Sequence, residues 1–348
     1  MRIRILQLKK TAFAALIVLL LSVVGMKNAF AQDQIATLLH GNDLTVYYGA
    51  DAFIEAYTIA ETGDIITLSG GTFNGCDIDK AVTIHGAGPV YDSIMMTDPT
   101  KLVGHIHFSG GSDTEHIIID GVHFDNTIYY NNVSFAEFNH CIIYSGFYSH
   151  DNSGSANNLR FTNCRIWTFK FDNATNIVFV NSVAYSNSHF NNQATEKNII
   201  AYNSYISFWK DTSSSNNQPK CCVFTNCILC INDSASIPSS SCTLNNCICI
   251  TNGKGSLLQY AIDYNCIEVE TDGEVFISGW NTQYNPFILL DEIANSIVGT
   301  DGTQVGIYGG ICPWTDRPNH MIMRRCTVGS RTTDDGHLSV DIEVVTEQ

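Results

Sequence analysis

Positive charge is scarce in this chain. Its 18 Lys and Arg stand against 34 Asp and Glu, a net charge of −16 at pH 7. A surface of that sign repels nucleic acid and anionic lipid, which excludes both as electrostatic partners. Proline is also scarce, at seven residues, while Phe and Tyr number 18 and 15. That balance argues against disorder and for a β-rich protein. After the first 31 residues, no apolar run approaches the ~20 residues that span a bilayer.

The N-terminus itself reads as a secretory leader. "MRIRILQLKK" is basic, "TAFAALIVLLLSVVG" is apolar, and "NAFA" ends in the small-x-small pattern of a cleavage site, which places the cut after Ala31. The apolar run is short for a retained anchor, and no cysteine at the cut suggests a lipid-anchored protein. Loss of Arg2, Arg4, Lys9, Lys10 and Lys27 leaves 13 basic residues and a net charge of −21. The expected location is secreted, periplasmic or cell-surface, with no membrane insertion after cleavage.

What the chain has instead is a repeat. "LRFTNCRIW" (159–167), "IVFVNSVAY" (177–185), "IIAYNSYIS" (199–207), "CVFTNCILC" (222–230) and "CTLNNCICI" (242–250) share an apolar-x-apolar-x-Asn-small-apolar order. Looser copies place the anchors at Asp120, His140, Asn163, Asn181, Asn203, Asn226, Asn246 and Asn265. A period near twenty with β-branched and aromatic strands, and without a leucine frame, points to a parallel β-helix. Stacked coils then make Phe138, Phe161, Phe179, Ala201, Phe224 and Leu244 one inward apolar column. A second column is small throughout: Gly121, Cys141, Cys164, Ser182, Ser204, Cys227, Cys247 and Cys266. Asn suits the anchor because its side chain tolerates left-handed backbone and bonds nearby backbone groups. Stacked Asn amides would also bond from coil to coil.

That frame explains the 13 cysteines, seven of which crowd into residues 221–250. Most are rungs, acting as small hydrophobes. Zinc and disulfides are the competing readings. In "CILC", Cys227 and Cys230 lie three apart on a strand and face opposite sides, against a shared ion. Neighbouring rungs in parallel register are poorly set for a disulfide.

Open ends of such a stack need covering. Residues 49–75 supply an N-terminal cap, with Asp51 as N-cap of a short helix whose Phe53, Ala56, Tyr57 and Ala60 share one side. "DIITLSG" begins the first coil, and "AVTIHGAG" and "GHIHFSG" follow as strands. "GTDGTQVGIYGG" (299–310) reads as the last coil. Beyond Pro313, "HMIMRRCTVGS" and "HLSVDIEVV" read as two strands of a small hairpin packed on the last coils. The expected fold is therefore all-β: a single-stranded right-handed parallel β-helix with a helical N-terminal cap and a short C-terminal β tail. The segments are a leader (1–31), the β-helix with its cap (32–312) and the tail (313–348).

The helix followed by "GDIITLSGGTF", the Asn-Cys coils and "GTDGTQVGIYGG" resemble right-handed parallel β-helix proteins of the pectate-lyase-like superfamily. They are similar to secreted Bacteroidetes β-helix proteins of unassigned activity. The resemblance implies a fold and leaves the activity open, because this architecture serves lyases, hydrolases, adhesins and passive surface proteins. Lyases of the superfamily use acidic Ca2+ ligands with a basic residue, and its hydrolases use close aspartates. Neither set is recognisable: the adjacent Asp334 and Asp335 lie in the tail.

The remaining constellation follows the anchors. Lys170 and Lys210 each lie seven residues after an Asn, two coils apart, so stacking would separate them by roughly 10 Å. Tyr144, Trp167, Phe169, Tyr185 and Trp209 surround that column as candidate ligand-binding residues, and Asp172, His189 and Asp211 lie close in sequence. An aromatic platform beside lysine and carboxylate suits a sugar chain, and a lysine of lowered pKa suits base chemistry. Core packing and solvated lysines are the plainer reading. His105 and His107 share a strand face but lack a carboxylate partner at convincing spacing, and with His116 and His123 they read as surface or edge residues. The expected function is polysaccharide recognition, with no metal site and no cofactor, Ca2+ entering only for a lyase. The alternatives are a polysaccharide lyase or glycoside hydrolase, and an adhesin or structural surface protein.

Overall fold

A computed structural model describes residues 34–92, 97–150, 154–171, 173–187, 199–209, 221–232, 241–259, 261–277, 287–315, 321–332 and 338–346. The chain forms a parallel β-solenoid of about seven turns. In the turns that follow the template, a first-wall strand leads through a two-residue corner into a second wall. Ala156–Thr162, Ala174–Val180 and Ile199–Tyr202 stack in the first wall, and Arg165–Lys170, Val183–Asn187 and Tyr205–Trp209 in the second. A third wall joins Ile106–Gly110, the start of Ile128–Asn139, and Phe147–Ser149.

The expected apolar column is in register, Phe138↔Phe161↔Phe179↔Ala201↔Phe224↔Leu244. All six are fully buried. The Phe138 and Phe161 rings lie 5.0 Å apart at 12°, and Phe161 and Phe179 5.3 Å apart at 18°. Burial of each such ring stabilises the fold by about 1.5–3 kcal/mol.

At the corner, His140, Asn163, Asn181, Asn203, Asn226, Asn246 and Asn265 all adopt left-handed backbone, with φ between 46° and 56°. The first anchor differs from expectation. Asp120 pairs with Asn139 inside the strand, and Gly121 takes the left-handed position at φ 70°. Glycine enters that region without a Cβ penalty, so no Asn is needed there. The residue in register with Cys141 is accordingly the buried Val122, not Gly121, so the small column starts at Cys141.

The rungs below are thiols and hydroxyls for a reason beyond size. Cys141 donates to Asn139 O at 3.1 Å, Ser182 to Val180 O at 2.9 Å, and Cys227 to Thr225 O at 3.2 Å. Some rungs also receive: Cys164 N–H donates to Ser182 Oγ at 3.0 Å, and Ser182 N–H to Ser204 Oγ at 3.1 Å. The carbonyls already accept from the backbone N–H groups of Gly121, Asn163 and Asn203, so the rung tips give them a second donor and give the rung N–H groups an acceptor. Every cysteine whose side chain is described is a free thiol.

Ahead of the coils, Ile35–His40 and Asp43–Tyr48 form an antiparallel hairpin, and the helix Ala52–Ile59 follows. Phe53, Ala56, Tyr57 and Ala60 are buried in the same core as the first coil, as their spacing predicts. Asp51 does not cap the helix with its side chain; its Oδ1 accepts from Asn74 Nδ2 at 2.7 Å. At the other end Asp263 sits on the rung below Leu244, and Glu268 below Cys249. Leu257, fully buried, closes the core there.

The glycine-rich segment 299–310 is not a coil. It runs back across the Asn corners as part of a strap, residues 287–315. Asn246 Nδ2 donates to Val298 O at 2.6 Å, Thr300 N–H to Asn226 Oδ1 at 2.8 Å, and Asn181 Nδ2 to Ile307 O and Gly309 O at 2.8 and 2.7 Å. The corner amides therefore receive the strap and do not simply stack on one another. The strap also explains its glycines: a Cβ on Gly309 would lie 2.6 Å from Asn203 Nδ2. Beneath it a second apolar cluster forms outside the solenoid, where Val183, Tyr185, Tyr205, Ile228 and Ile250 meet Phe287, Leu289, Ile297, Val305 and Ile307. The two tail strands, Met321–Thr332 and Leu338–Thr346, pair antiparallel as expected.

Candidate functional site

The expected aromatic–lysine face divides in two. Between Ile166 and Phe169 the strand register shifts, which reverses which residues face out. Trp167 stays on the outer second wall, stacked on Tyr185 at 5.5 Å and 12° and edge-on to Tyr144 at 5.7 Å. Tyr185 is buried beneath the strap, and burial pushes its phenol up to about 12. Of this group Tyr144 is the exposed member, at 48%. Phe169 faces inward and is 2% exposed, so it packs the core and offers nothing to a ligand. Trp209 ends the strand Tyr205–Trp209 beside Asn187. Asp172, His189, Lys210 and Asp211 lie outside the described residues.

Lys170 belongs to the third wall. Its register is His107↔Tyr129↔Tyr148↔Lys170, a column of outward residues on four successive strands, roughly 14 Å long at ~4.8 Å per strand. The His107 ring stacks on Tyr129 at 5.5 Å and 23° and meets the edge of His150 at 4.9 Å. Tyr129 contacts His150 at 6.1 Å and His105 at 5.9 Å. Lys170 adds its carbonyl to the wall's support, accepting from the buried Tyr130 hydroxyl at 3.0 Å.

A carboxylate completes this cluster. Asp77 Oδ1 accepts from His107 N–H at 3.0 Å and from His107 Nδ1–H at 2.9 Å. The two bonds fix the imidazole against the carboxylate. Partial burial opposes the Asp77 charge. The His107 bonds and the nearby His107 and His150 rings outweigh it and hold the carboxyl below its ordinary range. Burial pushes the Tyr148 phenol up, against a hydrogen bond from Thr168. The Asp77 side chain is 66% exposed and that of His107 37%, so the pair is open to solvent.

Sequence reasoning singled out Lys170, set His105 and His107 aside as surface or edge residues without a carboxylate partner, and missed Asp77, Tyr129 and His150 as their company. Asp77 lies thirty positions before His107, away from the twenty-residue period. The signal was the bridge Ile78↔Phe108, which sets Asp77 beside His107 once the coils are stacked. The other histidines have local bonds: His116 to Glu137 at 3.0 Å, and His123 to Pro89 O at 3.2 Å. Burial, with Lys101 nearby, holds the His123 imidazole below its ordinary range.

Among the described residues no group of three or more His, Cys, Asp or Glu is arranged to hold a metal ion, and no helix is long and apolar enough to cross a membrane. No protein-family model, curated protein or solved structure matches the chain.

Proposed function

We propose that this is a secreted or envelope-exposed polysaccharide-recognition protein that reads its polymer along the third wall. The observation that carries the reading is the half-buried Tyr129–His107 stack on the outer side of the third wall, flanked by Asp77 on one side and by Tyr148 and Lys170 on the other. Flat ring faces take the apolar faces of a sugar, while carboxylate, imidazole and ammonium groups take its hydroxyls. The leader-like N-terminus and the resemblance to pectate-lyase-like β-helices support a setting outside the cell, where polysaccharide is met. A passive surface role remains the reading if no glycan is retained.

The test is affinity electrophoresis of the full chain against plant, algal and bacterial polysaccharides, with Tyr129→Ala beside the parent. Retardation by one polymer that Tyr129→Ala abolishes supports the reading. Retardation by none, or retention unchanged in the variant, rejects it. Trp167→Ala serves as the comparison, because Trp167 packs at the strap's edge on a different wall.

The Asp77–His107 pair supports a second reading, a polysaccharide lyase or hydrolase. A carboxylate-held imidazole can take a proton. Incubation with uronate polymers, with and without Ca2+, separates turnover from binding: ultraviolet detection of an unsaturated product reads a lyase, and the release of reducing ends without it reads a hydrolase.

A further inference from the structure

Resting on the recognition reading above, we infer that the third-wall site selects an anionic polymer and that histidine protonation gates this selection. The cluster brings three imidazoles around one phenol ring: His107 and His150 in contact with each other and with Tyr129, and His105 against Tyr129 at 5.9 Å. They come from different coils. His105 and His107 lie two apart at Ile106–Gly110, and His150 follows Phe147–Ser149. Facing them are Asp77 from the preceding coil, Tyr129 and Tyr148 from the next two, and Lys170 at the far end of the column. Asp77 is the carboxylate bonded to the group, and it stays ionised well below the imidazole range.

The charge arithmetic follows from those residues. With the three imidazoles neutral, Lys170 and Asp77 balance and the patch is near neutral. With them protonated, three added positive charges sit within one patch of a chain whose overall charge is −16 at pH 7. Mutual repulsion among those charges opposes the charged state. An anionic ligand relieves the repulsion, so binding and proton uptake strengthen one another. A neutral sugar gains nothing from the change. The stacked rings recognise both polymer types, and the added charge discriminates between them.

The experiment uses the full chain, with dextran and dextran sulfate as probes, by isothermal titration calorimetry at about pH 5.5 and about pH 8, which bracket the reference value of about 6.5 for a free imidazole. Dextran sulfate should bind at least tenfold tighter at the lower pH, with dextran unchanged. The triple variant His105→Gln/His107→Gln/His150→Gln should lose that difference while its circular dichroism stays that of the parent. Equal affinity for dextran sulfate at both pH values, or a triple variant that keeps the difference, overturns the gate and leaves recognition standing. Binding of neither probe at either pH overturns the gate, while the recognition reading falls only if the electrophoresis panel also retains nothing. A second measurement stands apart from any glycan: ring-proton NMR of the three histidines across the same range. Rings that all remain neutral at about pH 5.5 end the proposal.

Discussion

Asn181 and Ile307 are joined across 126 positions of sequence: the Asn181 amide donates to Ile307 O at 2.8 Å and, with its second hydrogen, to Gly309 O at 2.7 Å. One side chain thus does two jobs. Its backbone makes the left-handed corner at φ 46°, and its amide seats the strap. Asn181→Ala removes both bonds at a site 1% exposed and puts a non-glycine, non-Asn residue into left-handed backbone. The expected loss is about 2–4 kcal/mol. Asn181→Asp keeps the corner but offers acceptors to two carbonyls, and should cost at least as much. Urea unfolding gives the magnitude. Hydrogen exchange at residues 297–310 locates it: exchange that speeds no more there than in the coils would contradict the strap's dependence on this residue.

The rung column predicts a chemical asymmetry among the thiols. Burial raises Cys141, Cys247 and Cys249 well above the ordinary thiol value, and Cys222 shifts the same way through its contact with Cys242 and burial. Cys312 by contrast is exposed. In the native chain at about pH 8, a disulfide reagent should therefore label Cys312 rapidly and the rung thiols only after denaturation. Uniform rapid labelling would mean that the column is open. Ser182→Ala tests the same column from the polar side. It strips an acceptor from Cys164 N–H and a donor from Val180 O, and should cost about 1–3 kcal/mol, whereas Cys164→Ser should be milder.

The parts of the molecule that were legible in the sequence are those where one physical demand repeats every coil. Asn163, Asn181, Asn203, Asn226 and Asn246 announce the corner because few side chains tolerate φ near +50°, and Phe138, Phe161 and Phe179 announce the column because the same inner space recurs. The strap left no such trace, since residues 297–310 meet each coil once and differently. Parity failed at Ile166–Phe169, where a register shift sends Trp167 and Lys170 to different walls. The Asp77–His107 contact was hidden because early coils depart from the period, so that stacking and not spacing brings the pair together.

Two ion pairs give opposite pH signatures. The hydrogen bond and charge of Asp64 raise the His40 imidazole above 6.5. A raised folded pKa contributes stability fully below the unfolded value and loses it as pH rises through the folded one. The parent should thus exceed His40→Gln in urea midpoint below about pH 6.5 and match it by about pH 8.5. Asp77 works in the other direction. Its carboxyl is held below 3.8, so its contribution is present above that value and disappears as pH falls through the lower folded pKa. Asp77→Asn should be weaker than the parent at neutral pH and equal to it in strong acid. A gap for Asp77→Asn that widens on acidification would reverse the assignment.

The last coil carries its own stop. Leu244 and Cys249 belong to the buried core, yet the next rungs in register are Asp263 and Glu268. Glu268 is also engaged, with Oε1 accepting from Ser256 Oγ at 2.9 Å and from Leu258 N–H at 3.1 Å, which holds the loop carrying Leu257 over the open end. A carboxylate on a core column cannot be followed by another coil without burying its charge, which costs several kcal/mol. Replacing both, Asp263→Leu with Glu268→Leu, continues the apolar column to the edge strand Ile262–Tyr264, which among the described residues pairs only with Thr243–Asn245. The double variant should associate end to end, with a weight-average mass that climbs with concentration in light scattering while the parent's does not. The thermal transition of its coils should stay close to the parent's, because the only bonds removed are those of Glu268 to Ser256 and Leu258 in the loop and no strand pairing is lost. A double variant that disperses like the parent across the same concentrations would show that the loop around Leu257, and not the charge on the final rung, closes this end.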